Sequence, residues 1–310
     1  MTAPDPIDEL ITVRDWLRFA VSRFAAAGLV FGHGTASALD EAAFLVLHTL
    51  HLPHDQELAS WLDARLTRDE RAAVAAIIER RIETRKPAPY LTNVAYMHGH
   101  AFYVDERVIV PRSYIGELLA DRLQGAGVVA DRVTRVLDLC TGSGCLAILA
   151  ALACPDAAVV GSDLSSDALA VAGRNVGDHG LAARITLVRS DLLAGLDGER
   201  FDLIIANPPY VTAQAVADFP PEYAAEPKSA HLGGADGMDL VRRILADAAR
   251  HLTPDGVLVV EVGHGRAVLD EEFPALPFLW LDTSESEGEV FALTARDLGA
   301  AKPGCGKARR

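Results

Sequence analysis

From residue 133 onward the sequence switches repeatedly between short, largely apolar runs and longer stretches with helical spacing. The runs occupy residues 133–139, 158–163, 185–188, 201–206, 256–262, 278–281 and 290–293; helices are predicted from Cys145, from 165 to about 176 and from about 237 to 251. Strands that are apolar on both faces need cover on both faces, and a parallel pair needs a crossover element between its members. The alternation therefore predicts an α/β fold with a mostly parallel seven-stranded sheet and helices on both sides.

The sequence ahead of this series is of another kind. Residues 7–27 repeat apolar positions at helical spacing (Leu10, Ile11, Trp16, Leu17, Phe19, Ala20, Phe24) and Gly28 is a stop. A second helix is predicted over 40–51, and a third opens with the capping box of Thr67 and Glu70 and runs to about Thr84. Between 89 and 111 the pattern changes to β-like pieces at 90–92, 101–104 and 108–110, which reads as a hairpin joining the two halves. The expected organisation is a helical domain over 1–88, a hairpin linker over 89–115, the α/β domain over 116–298 and a disordered tail over 299–310.

Charge and cysteine usage narrow the function. Lys+Arg 29 against Asp+Glu 43 gives a formal charge of −14, a field that repels a phosphate backbone and draws in a strongly basic partner. Direct nucleic-acid binding is therefore not expected. The four cysteines form no CxxC pair, which suits reduced thiols and a cytoplasmic location. The first residues carry no basic segment of a secretory signal, and the longest apolar run, 145–154, is ten residues and stops at Pro155, too short for a membrane span.

Three strand ends carry the chemistry. The first strand ends in Asp138-Leu-Cys140-Thr141-Gly142-Ser143-Gly144, a tight turn that feeds a helix. Glycines there permit close approach of a ligand to the backbone, and the helix start offers free N–H groups, so the turn reads as a nucleotide-cofactor loop, although a plain strand-to-helix turn has the same form. The second strand ends at Asp163, nineteen residues after Gly144, where a carboxylate can accept both ribose hydroxyls of an adenosine; a helix N-cap is the competing role. After the third strand, Ser190-Asp191-Leu192 puts an acceptor (Asp191) and an apolar cover (Leu192) where an adenine would lie. The fourth strand leads straight into Asn207-Pro208-Pro209-Tyr210. Two prolines remove two backbone donors and leave carbonyl acceptors, so Asn207 Oδ1 and the Pro208 carbonyl suit the two N–H bonds of a planar NH₂ group, with the Tyr210 ring against its plane.

These blocks, with Glu226-Pro227, Gly233-Gly234, Asp236-Gly237 and Glu261-Val262-Gly263, resemble the class I S-adenosylmethionine-dependent methyltransferases, and more narrowly the bacterial protein-glutamine N5-methyltransferases, over residues 8–298. The resemblance implies a Rossmann-like fold and S-adenosylmethionine as cofactor, released as S-adenosylhomocysteine and held by Cys140, Thr141, Gly142, Ser143, Gly144, Asp163, Asp191, Leu192 and Asn207. It further implies a substrate amide held by Asn207, Pro208, Pro209 and Tyr210, with Asn207, Pro208 and Tyr210 as the catalytic set and no metal. Asp138 is read as a structural acid. Pro111-Arg112-Ser113-Tyr114, Phe31-Gly32-His33-Gly34-Thr35 and Cys140 are similar to the branch that methylates a glutamine of large-subunit ribosomal protein L-three, a basic partner; Tyr114 stands where that branch commonly has proline. Glutamine methylation of peptide chain release factors is the alternative target. Adenine N6 methylation of nucleic acid would use the same Asn-Pro-Pro-Tyr grip on a flipped base, but lacks the basic face it needs. His33 is open between a structural and a substrate-facing role, and His264 reads as a turn residue.

Overall fold

A computed structural model describes residues 6–54 and 57–300 of the 310. The chain divides into two units: residues up to Glu106 together with Phe219–Ala225, and Arg107–Asp218 together with residues from Glu226 on. The expected tail begins inside the last helix, and its residues 301–310 lie outside the described residues.

The first unit is built from α1 (Pro6–Glu9), α2 (Val13–Ala26), α3 (Ala38–Thr49), α4 (Arg68–Thr84) and α5 (Ala88–Thr92), followed by strands β1 (Val94–Met97) and β2 (His100–Tyr103). The single helix expected over 7–27 is two helices. Thr12 caps α2 by accepting from the Asp15 amide, while the Asp15 carboxylate takes the Thr12 amide, a capping box that forces non-helical backbone at Thr12. The Thr67–Glu70 capping box opens α4 as predicted. Apolar faces of α2, α3 and α4 meet around Trp16, Phe24, Leu45 and Ile78, all fully buried.

The stretch at 90–92 is helix, not strand: Pro89 sits in the first turn of α5, where its missing N–H and fixed φ cost nothing, and Tyr90 and Leu91 are buried. The hairpin lies one step earlier than expected, with Val94 paired to Tyr103 and Met97 to His100 around the left-handed pair His98 and Gly99. Residues 108–110 form no strand.

Inside this unit a buried ion network holds Phe219–Ala225. Arg81 pairs with Glu41, and Arg85 Nη2 lies 2.6 Å from Glu222, whose Oε1 also accepts from the Val30 amide at 3.1 Å. His33 is buried with its ring 4.2 Å from that of Tyr223, and Thr35 donates to Glu41. The 31–35 block thus packs on this segment.

The second unit carries α6 (Tyr114–Ala120), β3 (Arg135–Leu139), α7 (Cys145–Ala153), β4 (Ala158–Asp163), α8 (Ser166–Asp178), β5 (Ile185–Arg189), β6 (Phe201–Ala206) and α9 (Ala213–Ala217). It continues with α10 (Asp239–His251), β7 (Leu252–Glu261), α11 (Arg266–Glu272), β8 (Leu279–Leu281), β9 (Val290–Thr294) and α12 (Ala295–Ala300). Seven strands form one sheet in the order β5-β4-β3-β6-β7-β9-β8, with β5 through β7 parallel and β9 antiparallel to both β7 and β8. The mostly parallel α/β sheet predicted from the alternation is the one observed. The chain proceeds outward from β3 to β4 and β5, then returns to β6 on the other side of β3. That reversal opens a crevice beyond the carboxyl ends of β3, β4 and β6, the position at which open α/β sheets take ligands. Among the described residues no helix is long and apolar enough to cross a membrane.

Candidate active site

The crevice is an open cleft lined by Cys140, Gly142, Asp163, Leu164, Asp191 and Leu192 at and after the ends of β3, β4 and β5, by Asn207 and Pro209 after β6, by Pro227, Ser229 and Ala230, and by Arg107–Ile109. Of the residues singled out from sequence, Cys140, Gly142, Asp163, Asp191, Leu192, Asn207 and Pro209 share this cleft; Thr141, Ser143, Gly144, Pro208 and Tyr210 do not line it.

The first wall begins where β3 ends. Cys140 (φ 58°), Gly142 (φ 53°) and Gly144 (φ 80°) are left-handed, which curls the backbone away from the strand axis. A Cβ at Gly142 would meet nothing nearer than the Cys140 carbonyl at 3.9 Å, so the curl leaves a cradle open toward the cleft. Behind it, Thr141 is buried and donates to Asp138 at 2.5 Å, and the Ser143 carbonyl accepts from Asn175. Burial lifts the Asp138 carboxyl to about 7, against the hydrogen bond from Thr141. Asp138 therefore shapes the turn from beneath, as its structural reading anticipates, and burial likewise raises the Cys140 thiol.

Asp163, half-buried at the end of β4, accepts the Gly142 amide at 2.9 Å and the Ser165 amide at 2.9 Å, so it ties the two strand ends together. Ser165, not Asp163, caps α8 by accepting from Ala168. Asp191 is exposed and paired with Arg243 at 2.9 Å, while Leu192 is buried at φ 50° with its carbonyl taken by Ser190 Oγ.

The second wall is the turn after β6. Asn207 Nδ2 donates to the Arg112 carbonyl at 3.2 Å. A carbonyl only accepts, so this contact fixes the amide with its nitrogen away and its oxygen free to serve as an acceptor in the cleft. Pro208 is buried. Tyr210 turns away from the cleft: its hydroxyl donates to Glu261 Oε1 at 2.9 Å and its ring lies on Gly263, where a Cβ would come within 2.7 Å of ring carbon Cε2. Burial and the neighbouring Glu261 raise the Tyr210 hydroxyl pKa. The Gly233 and Gly237 backbones press on Pro209 and Tyr210, with a Cβ at Gly237 reaching 2.2 Å from the Tyr210 carbonyl.

Two carboxylates that carried no role from sequence complete the site. Glu226 is buried and takes both arms of the Arg112 guanidinium at 2.7 Å and the Val110 amide at 2.9 Å, with His231 Nε2 lying 2.9 Å away. Glu261, buried at the end of β7, accepts from Ser113 Oγ at 2.5 Å and the Tyr114 amide at 2.9 Å as well as from Tyr210; burial raises its pKa. Both lie in blocks that carried the family resemblance, and Glu261 is in addition the one acid within the apolar run 256–262. His264 is exposed on a turn beside Glu289 at 3.2 Å.

The arrangement offers a backbone cradle, a carboxylate and an oriented amide acceptor in one cleft. It has no strong base at the acceptor: it can bind an elongated ligand and hold a planar amino or amide nitrogen against it.

Comparison with known proteins agrees in kind. The profile of the methyltransferase small domain family matches residues 116–219. The chain is 57% identical to the ribosomal protein uL3 glutamine methyltransferase of Bradyrhizobium diazoefficiens, covering 94% of this chain and 92% of that protein. Proteins of the same name from Burkholderia pseudomallei and Neisseria meningitidis serogroup B are 56% and 55% identical, covering 96% and 94% of this chain and 98% and 95% of theirs.

Proposed function

The chain belongs to the family of ribosomal protein uL3 glutamine methyltransferases, and from that premise we propose that it methylates the side-chain amide nitrogen of a glutamine in ribosomal protein uL3 with S-adenosylmethionine as donor. The observation that carries the reading is the Asn207 amide, tied at its nitrogen to the Arg112 carbonyl and so left with an acceptor at the cleft.

The cleft fits the donor: the open cradle over Gly142 suits its amino-acid end, Asp163 at the end of β4 its ribose, and Asp191 with Leu192 its adenine. When bound, S-adenosylmethionine supplies an electrophilic methyl group on a sulfonium. Cys140, Thr141, Gly142, Ser143 and Gly144 act as a unit, the first and third facing the ligand and the others holding the curl.

A glutamine amide nitrogen is a weak nucleophile because its lone pair is delocalised into the carbonyl. Asn207 Oδ1, at the cleft, is assigned one of its N–H bonds, and the second is assigned to the carbonyl of Pro208, the next residue of the turn, whose ring lies behind the lining; together they would orient the nitrogen toward the donor. Alignment of this kind contributes up to about 7–11 kcal/mol. Positive charge grows on the nitrogen during transfer and strengthens both bonds, so they favour the transition state over bound substrate. The alkylated amide is acidic enough to lose its proton to a carbonyl or water, so no dedicated base is assigned. Tyr210 supports the turn through Glu261 and Gly263.

The charge of −14 supports a basic protein target over nucleic acid. The helical unit is assigned the recognition of that target, and the reaction is set in the cytoplasm, where a ribosomal protein is made. The test is transfer of labelled methyl from S-adenosylmethionine to purified uL3, release factor and unmethylated DNA in parallel, with Asn207→Ala as control. Label on uL3 alone, lost in the variant, is the expected result; label on release factor or DNA instead overturns the target.

A further inference from the structure

Asn207 serves as acceptor only while its amide keeps one orientation, and the atom that sets that orientation is the carbonyl of Arg112, 95 residues away in sequence. A carbonyl can discriminate between the two ends of an amide only if its own peptide plane is fixed.

That plane is held from both sides. On the N-terminal side, Pro111 has a locked φ, and the Val110 amide donates to Glu226. The guanidinium of Arg112 itself forks onto both oxygens of the same carboxylate. On the C-terminal side, Ser113 caps α6 with its Oγ while donating to Glu261, and the Tyr114 amide donates to the same group. Residues 110–114 are therefore a strap stretched between two buried carboxylates, and the carbonyl at its centre faces Asn207. Glu226 is the more demanding anchor: its side chain has no exposure, and a buried carboxylate is tolerated there because Arg112 and His231 both face it. A bidentate fork constrains direction as well as distance, which an ammonium would not do.

We infer that Arg112 and Glu226 are positioning residues of the methyl-transfer reaction: their ion pair fixes the Arg112 carbonyl, and through it the end of the Asn207 amide presented to the substrate. The inference rests on the assignment of Asn207 as the substrate acceptor. Loosening the pair lets the carbonyl rotate and the Asn207 amide turn over, which replaces an acceptor with a donor opposite the glutamine NH₂ group. The cofactor cradle, built from the ends of β3 and β4, is untouched.

The test compares Glu226→Gln, which keeps shape and loses charge, with Asn207→Ala and the double variant. Arg112→Gln, at a side chain 31% exposed, serves if Glu226→Gln does not fold. The expected result is a fall in kcat of about tenfold or more with the KM for S-adenosylmethionine held within about twofold. Because the pair acts through Asn207, the double variant is expected to be no slower than Asn207→Ala alone. Multiplied losses in the double variant, or an unchanged kcat in Glu226→Gln, overturn the inference.

A second readout needs no methyl acceptor. The chain has only three asparagines, Asn93, Asn175 and Asn207, so selective ¹⁵N labelling resolves each side-chain NH₂ pair. The Asn207 pair is expected to exchange slowly with solvent in the native chain and quickly in the variant, with Asn93, bonded to the Val104 carbonyl, and Asn175 unmoved as internal references. Slow Asn207 exchange in both proteins overturns the inference even if no methyl acceptor is found. Loss of activity on uL3 in the native chain, with the exchange change present, instead falsifies the assigned function alone.

Discussion

The Tyr210 hydroxyl donates to Glu261 across 2.9 Å, joining the turn after β6 to the end of β7. The same carboxylate receives Ser113 Oγ and the Tyr114 amide, so three donors from two separated segments converge on one buried acid. Tyr210→Phe removes one donor and leaves the carboxylate its other partners, whereas Glu261→Gln replaces an acceptor by a donor that faces donors. Urea unfolding is expected to show a loss of about 0.5–1.5 kcal/mol for the first and about 1–3 kcal/mol for the second. Equal losses would show that the three bonds are not shared at Glu261.

Gly263→Ala tests the seat of the Tyr210 ring. The residue has φ 50°, and the added methyl would stand 2.7 Å from Tyr210 Cε2, so both backbone and ring must shift. A destabilisation of about 1–3 kcal/mol is expected, with methyl transfer reduced more than binding of S-adenosylmethionine measured by calorimetry.

Asp138 gives a pH signature. Its carboxyl is raised from an ordinary 3.8 to about 7 by burial. Between these values the folded chain holds a proton that the unfolded chain has released, so this group's stabilising contribution is complete below the unfolded value and disappears as pH rises through about 7. Relative to Asp138→Asn, the native chain is expected to lose stability between about pH 4 and pH 7, by roughly 4 kcal/mol at most, and to run parallel above that. Denaturant melts of both proteins across this range decide it; parallel curves throughout would show that Asp138 is already ionised.

The ion network of the helical unit predicts a contrast between buried and exposed pairs. Glu222 has no exposed side-chain surface and faces Arg81 and Arg85, so Glu222→Gln is expected to destabilise by about 3 kcal/mol or more. Arg23 and Glu79, each about 40% exposed, form a pair whose loss in Glu79→Gln is expected to be within about 1 kcal/mol. Chemical unfolding of both variants measures the difference.

Much of this architecture was legible from residue pattern. The runs at 158–163 and 201–206 are strands with the predicted limits, because a doubly covered parallel strand is apolar throughout and its ends are marked by polar residues. The Thr67–Glu70 capping box opens its helix where expected, since both of its hydrogen bonds are local. The turn at 140–144 and the Asn-Pro-Pro stretch share one cleft because each terminates a strand next to the point where the strand order reverses. The Tyr90 region misled because short apolar runs do not distinguish strand from helix, and Pro89 in a first helical turn decided it.

What sequence by itself determined, then, is most of what period and strand-end chemistry set: the sheet, the helices over it, the strand-end turns and the acidic field. Tertiary structure alone decided who faces whom. Arg112 meets Glu226, Ser113 meets Glu261, and Phe219–Ala225 joins the helical unit through Glu222, over separations of more than a hundred residues. Periodicity records whether a side chain is buried, but a buried carboxylate accepts from any donor brought within reach. Its partner is chosen by the convergence of strand ends, a property of the assembled sheet that no local stretch encodes.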